Sequence, residues 1–147
     1  MKQDLRKRIL NYGRRTAIRF NILRGINMVY MNKETFELWE PGQSKDNYFE
    51  IDEAIVPAVQ VLNRKGYITT DCCAGHPFNT ESNGMYYSYI NFKEGVILPS
   101  LPPGYNFYNG TIMRFWDLNT EFYGFLRDNV DTMEKLHEWA LSLPEFK

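Results

Sequence analysis

The stretch YFEIDEAIVPAVQVLNRKGYITTDCCAGHP, residues 48–77, does most to determine the fold of this 147-residue chain. Its first four residues have the composition of a β-strand. After Asp52, which occupies a typical helix N-cap position, apolar side chains recur at helical spacing until Gly66, a typical helix terminator. A β-branched run then predicts a second strand. This order of strand, helix and strand predicts one β-α-β crossover.

The flanking segments predict further strands and helices. The segment 27–40 predicts two strands joined by a tight turn, and 85–92 and 111–116 predict two more strands. A helix is expected from about Thr120, followed by a second helix that begins at Asp131 as its cap. Together these elements predict an α+β protein with a mostly antiparallel sheet and helices packed on it.

The composition indicates a single cytoplasmic domain over residues 1–147. Hydrophobic residues make up 44% of the chain and charged residues 24%, which are ordinary globular values. No apolar run approaches the roughly 18 residues that a membrane-spanning helix needs, so no membrane contact is expected. Cys72 and Cys73 are neighbours and the only cysteines, so we expect two reduced thiols rather than a disulfide framework.

The net charge of -1 conceals a strong asymmetry. Residues 1–33 hold nine basic side chains and one acidic side chain, which leaves eight basic and seventeen acidic side chains elsewhere. We expect residues 1–25 to form a basic helical arm, with Arg14, Arg15 and Arg19 as candidate contacts with nucleic acid or an acidic protein partner. The equal alternative is that this arm packs on the acidic body of its own chain or of a second copy in a homo-oligomer.

Polar side chains gather at 69–77, which is expected to be a loop at the end of the second strand. The candidate ligand-binding residues are Thr69, Thr70, Asp71, Cys72, Cys73, Gly75 and His76. Ligands collect at the carboxyl ends of strands in α/β units, and this cluster offers hydroxyl, carboxylate, thiol and imidazole groups. The alternative is a turn whose polar groups bond nearby amides while the thiols are buried as small apolar groups.

Metal binding and nucleophilic catalysis are weaker interpretations of the same segment. Cys73 and His76 have metal-ligand spacing, but a closed zinc site needs four ligands, and His137 is the only other histidine. No metal is therefore predicted.

A Cys73 thiolate could be activated by His76, but no third group that orients the imidazole can be identified, and Asp71 is expected to raise the pKa of a neighbouring thiol. No catalytic residue is assigned, and whether the chain is an enzyme stays open.

The segment IDEAIVPAVQVLNRKGYITTDCCAGH, residues 51–76, resembles the central segment of the wybutosine-synthesis methyltransferase family, which modifies a guanosine-derived base in phenylalanine tRNA. The residues that match are Asp52, Glu53, Asn63, Tyr67, Thr69, Thr70, Cys73 and Gly75. Asp71 and Cys72 stand in place of two family serines, Ala74 in place of a third, and His76 in place of an arginine. The resemblance implies a related α/β core, S-adenosylmethionine as the cofactor and methyl transfer to a tRNA base. The stretch is also similar to small proteins of Gram-positive bacteria and their phages, to which we attach no activity.

The primary functional hypothesis is a small binding protein that recognises an anionic, nucleotide-like ligand or RNA through residues 69–77. Thr69 and Thr70 would donate hydroxyl hydrogen bonds. The backbone amides around Ala74 and Gly75 would face the anion, and His76 would add a pH-dependent contact.

Three tyrosines on the next predicted strand, Tyr86, Tyr87 and Tyr89, alternate between its faces. Those on the ligand side would stack on a base, although packing and cross-strand pairing is the preferred interpretation.

Two other functions are carried as alternatives. One is an S-adenosylmethionine-dependent tRNA-base methyltransferase, and the other is a phage-type interaction protein that inhibits a host protein.

Overall fold

The computed structural model describes residues 28–75, 86–117 and 119–147. The predicted basic arm with Arg14, Arg15 and Arg19 lies outside these residues, and so does His76. The elements in chain order are β1 (Met28–Asn32), β2 (Tyr48–Asp52), a 3-10 turn (Glu53–Ile55), α1 (Val56–Arg64), β3 (Thr69–Cys73), β4 (Tyr86–Phe92), β5 (Asn106–Tyr108), β6 (Thr111–Trp116) and α2 (Phe122–Ser142). No helix in this part of the chain is long and apolar enough to cross a membrane.

The strands form two antiparallel sheets. β1 pairs with β2, and a four-stranded sheet has the order β3-β4-β6-β5. The predicted α+β class and the antiparallel pairing are therefore confirmed. β2, α1 and β3 follow one another along the chain as predicted, but β2 and β3 belong to different sheets. The two sheets thus meet at the place where the candidate ligand-binding residues lie.

The predicted hairpin within 27–40 is wrong in its second strand. β1 pairs with β2 instead, and only a single bridge joins Met31 to Leu38. The reason is a local turn: the Asn32 side-chain oxygen accepts hydrogen bonds from the backbone N–H groups of Glu34 and Thr35, at 2.8 and 3.0 Å. Such a turn after an asparagine competes with a strand ladder.

The two predicted C-terminal helices are one helix, α2, of 21 residues. Its N-cap is Glu121, whose carboxylate accepts hydrogen bonds from the backbone N–H groups of Tyr123 and Gly124. Asp131, expected to begin a second helix, lies in its middle and forms an ion pair with Lys135 at 2.9 Å. An acidic residue in mid-helix can be retained by such a pair one turn later.

The larger of two hydrophobic clusters joins both helices to both sheets, and Trp116, Phe125 and Leu126 form the smaller one. The fully buried members of the larger cluster include Met31 in β1, Val59 and Leu62 in α1, Ile90 in β4 and Leu136 in α2. Because these side chains come from every layer, the hairpin of β1 and β2 is anchored to the same interior as the larger sheet. The inner face of the fold is thus fixed by apolar burial.

The C-terminal end of α2 is held by Lys65, directly after α1. The Lys65 ammonium donates hydrogen bonds to the backbone oxygens of Ala140, Leu141 and Leu143, at 3.1, 2.6 and 2.6 Å. A helix leaves its last carbonyls largely without backbone partners, although Ala140 O also accepts from Leu143 N–H at 3.3 Å. A cation there also interacts favourably with the helix dipole. Lys65 therefore joins the end of α1 to the end of α2.

Candidate functional site: a cleft between the two sheets

The polar segment predicted as a loop is largely an edge strand. Thr69–Cys73 forms β3, which among the described strands pairs only with β4. The pairing register shifts between Thr69 and Asp71, so Thr70 is the extra residue of a β-bulge. A bulge at an edge strand changes the direction of its side chains, and here it accompanies the exposure of Thr70 and Asp71.

Three backbone N–H groups of this segment are already occupied by side chains. Thr69 donates to Asn63 Oδ1 at 3.0 Å, Cys72 to Asp71 Oδ1 at 2.9 Å, and Ala74 to Asp52 Oδ2 at 2.8 Å. Strand addition needs free backbone groups along an edge. The occupied donors therefore disfavour pairing with another strand and leave side chains as the means of contact.

A cleft of about 490 Å³ lies between β2 and β3. Its described lining comprises Lys33, Phe36, Phe49, Glu50, Asn63, Ile68, Thr69, Thr70, Asp71 and Cys72. This volume falls within the roughly 300–1,000 Å³ that small-molecule sites occupy. Four of the seven candidate ligand-binding residues thus lie together along one wall, while Cys73 and Gly75 are not among its lining residues.

Phe36 forms part of the wall opposite β3 in an unusual conformation. Its φ is +62°, in the left-handed region that bulky side chains seldom adopt. The conformation is held by two hydrogen bonds: Phe36 N–H donates to Asn32 O at 3.0 Å, and Gln60 Nε2 donates to Phe36 O at 2.7 Å. Backbone strain of this kind concentrates at ligand sites, where it serves to place a side chain.

Asn63 orients the hydroxyl of Thr69. Because Asn63 Oδ1 accepts from Thr69 N–H, its Nδ2 group is identified as the donor to Val59 O at 2.8 Å and to Thr69 Oγ1 at 2.9 Å. The Thr69 oxygen is used as an acceptor, so its hydroxyl hydrogen remains as a donor on a residue that lines the cleft. The role of Thr69 as a donor to a ligand stays a prediction.

The thiol of Cys72 is poorly suited to nucleophilic chemistry. Burial raises its pKa, and the carboxylates of Asp52 and Asp71 raise it further, as expected for Asp71 from the sequence. It therefore stays protonated near neutral pH, and the thiolate is the reactive species. Cys73 is likewise a free cysteine, and its sulfur accepts a hydrogen bond from Gly75 N–H at 3.4 Å.

The end of the segment is held by side chains of two elements, α2 and β4. Asn129 of α2 donates to Ala74 O at 2.7 Å, and Ser88 of β4 donates to Cys73 O at 2.9 Å. Tyr105 lies 2.7 Å from the Ser88 hydroxyl, and since Ser88 donates to Cys73, Tyr105 is the donor to Ser88. These contacts hold the chain at the start of residues 76–85.

Two expectations for this region are wrong. The backbone N–H groups of Ala74 and Gly75 do not face a ligand anion, because they already donate to the Asp52 carboxylate and to the Cys73 sulfur. Asp52 does not cap α1 with its side chain, since its carboxylate is instead bonded to Ala74, 22 positions along the chain. Asp52 is buried, and its carboxylate joins the end of β2 to the end of β3.

Tyr87 and Tyr89 pack on the outer face of the four-stranded sheet. Their rings are stacked with centroids 5.7 Å apart, and Tyr87 also meets Phe115 of β6 at 6.3 Å. The Tyr89 hydroxyl donates to Asp71 Oδ2 at 2.8 Å, and burial together with this bond raises its pKa. These contacts match the preferred packing interpretation. The side chain of Tyr86 lies outside the described part of the chain.

Several residues of the site gave no recognisable signal in the sequence. Phe36, Phe49 and Lys33 reach the cleft through the long-range pairing of β1 with β2, and Gln60 and Asn129 act through partners far away in the chain. No group of three or more His, Cys, Asp and Glu side chains among the described residues could hold a metal ion.

Comparison with protein families, curated proteins and solved structures finds no match to this chain. The resemblance to the wybutosine-synthesis family therefore stays a prediction.

Proposed function

We propose that this chain is a small binding protein that holds a nucleotide-like ligand in the cleft between β2 and β3. The observation that carries the proposal is the cleft of about 490 Å³, along which Thr69, Thr70, Asp71 and Cys72 lie side by side. A cytoplasmic location belongs to the same proposal, because two neighbouring cysteines do not make the disulfide framework typical of secreted proteins.

The chemistry of the lining favours a flat ring that carries both donors and acceptors. Phe36 and Phe49 offer aromatic surface, while Thr69 and Lys33 offer donors and Glu50 and Asp71 offer acceptors. A nucleobase combines these properties, since it stacks on aromatic rings and forms hydrogen bonds along its edge. A purely apolar ligand would exclude water from the charged groups of Lys33 and Glu50 without offering them a partner, which is unfavourable.

Charge limits the anionic part of the proposal. Among the described lining residues Lys33 is the sole cation, and the lining also includes two acidic residues, Glu50 and Asp71. A nucleoside or a nucleoside monophosphate fits this balance better than a polyphosphate does.

RNA binding would draw its phosphate contacts from Arg14, Arg15 and Arg19. It predicts that affinity falls steeply as the salt concentration rises, and that Arg14→Glu and Arg15→Glu make this dependence on salt less steep.

The test is a calorimetric titration with adenosine, guanosine, their 5′-monophosphates and S-adenosylmethionine. We expect saturable binding of at least one nucleoside or monophosphate. Thr69→Val should weaken binding about tenfold by removing a donor, while Thr69→Ser should retain it. Lys33→Met should weaken the monophosphate selectively, and Lys135→Met, which removes the same charge from the surface of α2, serves as its control.

The outcomes separate the functions. No saturable binding of any probe up to about 1 mM, a dissociation constant that corresponds to only about 4 kcal/mol, would overturn the ligand proposal. Binding of S-adenosylmethionine, with loss in Thr69→Val, would favour the methyltransferase alternative. If no probe binds and a host protein forms a stable complex that survives Cys73→Ala and His76→Ala, the inhibitory interaction protein becomes the better proposal.

A further inference from the structure

A second feature lies on the outer face of the β1–β2 sheet, where two aromatic rings form a corner around a cation. The rings of Tyr30 and Trp39 have centroids 6.3 Å apart and an interplanar angle of 70°. The ammonium of Lys45 lies 4.3 Å from the Tyr30 centroid and 4.6 Å from the Trp39 centroid. Both distances are well within the roughly 6 Å at which a cation is attracted to a ring face.

The walls of this corner are fixed by contacts that do not involve the Lys45 side chain. Trp39 N–H donates to Tyr30 O at 2.9 Å, and the Trp39 indole N–H donates to Gln43 O at 2.9 Å. The Gln43 side-chain oxygen accepts from Glu40 N–H at 3.1 Å and from the Tyr48 hydroxyl at 3.4 Å. The corner is therefore preorganised, and its shape does not depend on its present occupant.

The occupant is weakly held. Lys45 is exposed, and a lysine side chain loses up to roughly 2 kcal/mol of rotamer entropy when it is fixed in one position. Its primary ammonium also gives up part of a strong hydration shell at the rings, which offer no strong hydrogen-bond acceptor.

We propose that the corner formed by Tyr30 and Trp39 is a binding site for an alkylated ammonium group, with Lys45 as a resident side chain that such a group displaces. A quaternary ammonium is weakly hydrated and needs no hydrogen-bond acceptor, so the two ring faces suit it better than they suit Lys45. The group can belong to a small molecule or to a methylated lysine of another protein, since the recognised chemistry is the same.

The experiment is an NMR titration of the full chain with tetramethylammonium chloride at constant ionic strength, following the ligand methyl resonance. We expect millimolar binding to the wild type. Lys45→Ala should bind about fivefold more tightly, the factor that corresponds to removing one competing cation–π contact of about 1 kcal/mol. Trp39→Leu and, separately, Tyr30→Leu should abolish binding while far-UV circular dichroism stays unchanged.

Two controls make the result specific. Lys135→Met removes an equal charge elsewhere and should bind tetramethylammonium like the wild type. Thr69→Val should also bind it normally, so this experiment tests the corner separately from the proposal of a nucleotide in the cleft. A peptide bearing trimethyllysine is then compared with tetramethylammonium: at least tenfold tighter binding of the peptide indicates a protein source, and equal binding indicates a small molecule. Absence of saturable binding to Lys45→Ala, or binding unaffected by Trp39→Leu and Tyr30→Leu, would overturn the proposal.

Discussion

Replacing Asn63 by aspartate tests the link between the fold and the cleft. Asn63 is 6% exposed, and its amide group donates to Val59 O and Thr69 Oγ1 while its oxygen accepts from Thr69 N–H. Asn63→Asp keeps the size of the side chain and the acceptor for Thr69 N–H. It removes both donors and places a carboxylate against the Val59 carbonyl.

The expected destabilisation follows from these contacts. The lost hydrogen bond to Val59 O contributes about 1 kcal/mol, and a largely buried carboxylate facing a carbonyl adds a further penalty of about 1–2 kcal/mol. We therefore expect a loss of about 2–3 kcal/mol at pH 7, or roughly 6–9 °C in Tm at about 3 °C per kcal/mol for a chain of this size. Asn106→Asp, the same change at an exposed position of β5, should shift Tm by no more than about 2 °C.

The effect of Asn63→Asp should depend on pH in a defined direction. Burial and the neighbouring carbonyl raise the pKa of the new carboxyl above its unfolded value of about 3.9, so the protonated form is favoured in the folded state. The variant therefore approaches wild-type stability below about pH 4 and loses stability as the pH rises. Urea unfolding from pH 3.5 to 8, with the wild type measured in parallel, gives the difference directly.

The same substitution should also reverse the direction of one hydrogen bond. With a carboxylate at position 63, the Thr69 hydroxyl donates to it and no longer presents a donor to the cleft. Ligand binding should then fall about as much as in Thr69→Val. Equal stability losses in Asn63→Asp and Asn106→Asp, or a loss that does not change with pH, would refute the assigned hydrogen-bond directions.

Three further predictions follow from contacts described above. Lys65→Met should lower the free energy of unfolding by about 2 kcal/mol because three carbonyls at the end of α2 lose a charged donor. Lys135→Met, which breaks one exposed ion pair, should lower it by about 0.5 kcal/mol or less, and equal losses in urea titrations would contradict the capping role. Gly75→Ala should lose about 2–4 kcal/mol, because φ is +104° and a Cβ would lie 3.2 Å from Asn129 Nδ2 and 3.3 Å from Tyr87 O; an unchanged Tm would show that the segment can move. The folded-state pKa of Cys72 is raised, so the contribution of its thiol to stability is complete below the unfolded pKa of about 8.5 and declines as the pH rises above it. Cys72→Ala should therefore flatten the dependence of the free energy of unfolding on pH between about pH 8.5 and 10. A variant with the wild-type slope would argue against a buried thiol.

The sequence predicted the elements whose signals are local. The alternation around Tyr87 and Ile90 and the helical spacing of Val59 and Leu62 each depend on neighbours within a few residues, and the corresponding β4 and α1 are present. The polar cluster beginning at Thr69 was also identified, because its composition is unusual for a turn. Four of its members line the cleft.

The remaining features depend on partners that are distant in the chain. Asp52 has the spacing of a helix cap, but its carboxylate is bonded to Ala74, which no local pattern indicates. The pairing of β1 with β2 places Phe49 near the cleft across a long intervening turn, and the left-handed φ of Phe36 has no signature in residue type. Such contacts are selected by the shared core rather than by local preference.

The occupied N–H groups of β3 have a consequence for how copies of this protein meet. An exposed edge strand can pair with strands of other molecules, and proteins prevent this with β-bulges, charged side chains and very short edge strands. Here the edge strand β3 has a bulge at Thr70, and three of the backbone N–H groups in and directly after it are already bonded to Asn63, Asp71 and Asp52. The opposite edge strand, β5, is only three residues long. Growth of the sheet from β3 into the next molecule would require breaking these internal bonds first, and the short β5 offers few groups to pair with, so both edges of the described sheet disfavour self-association.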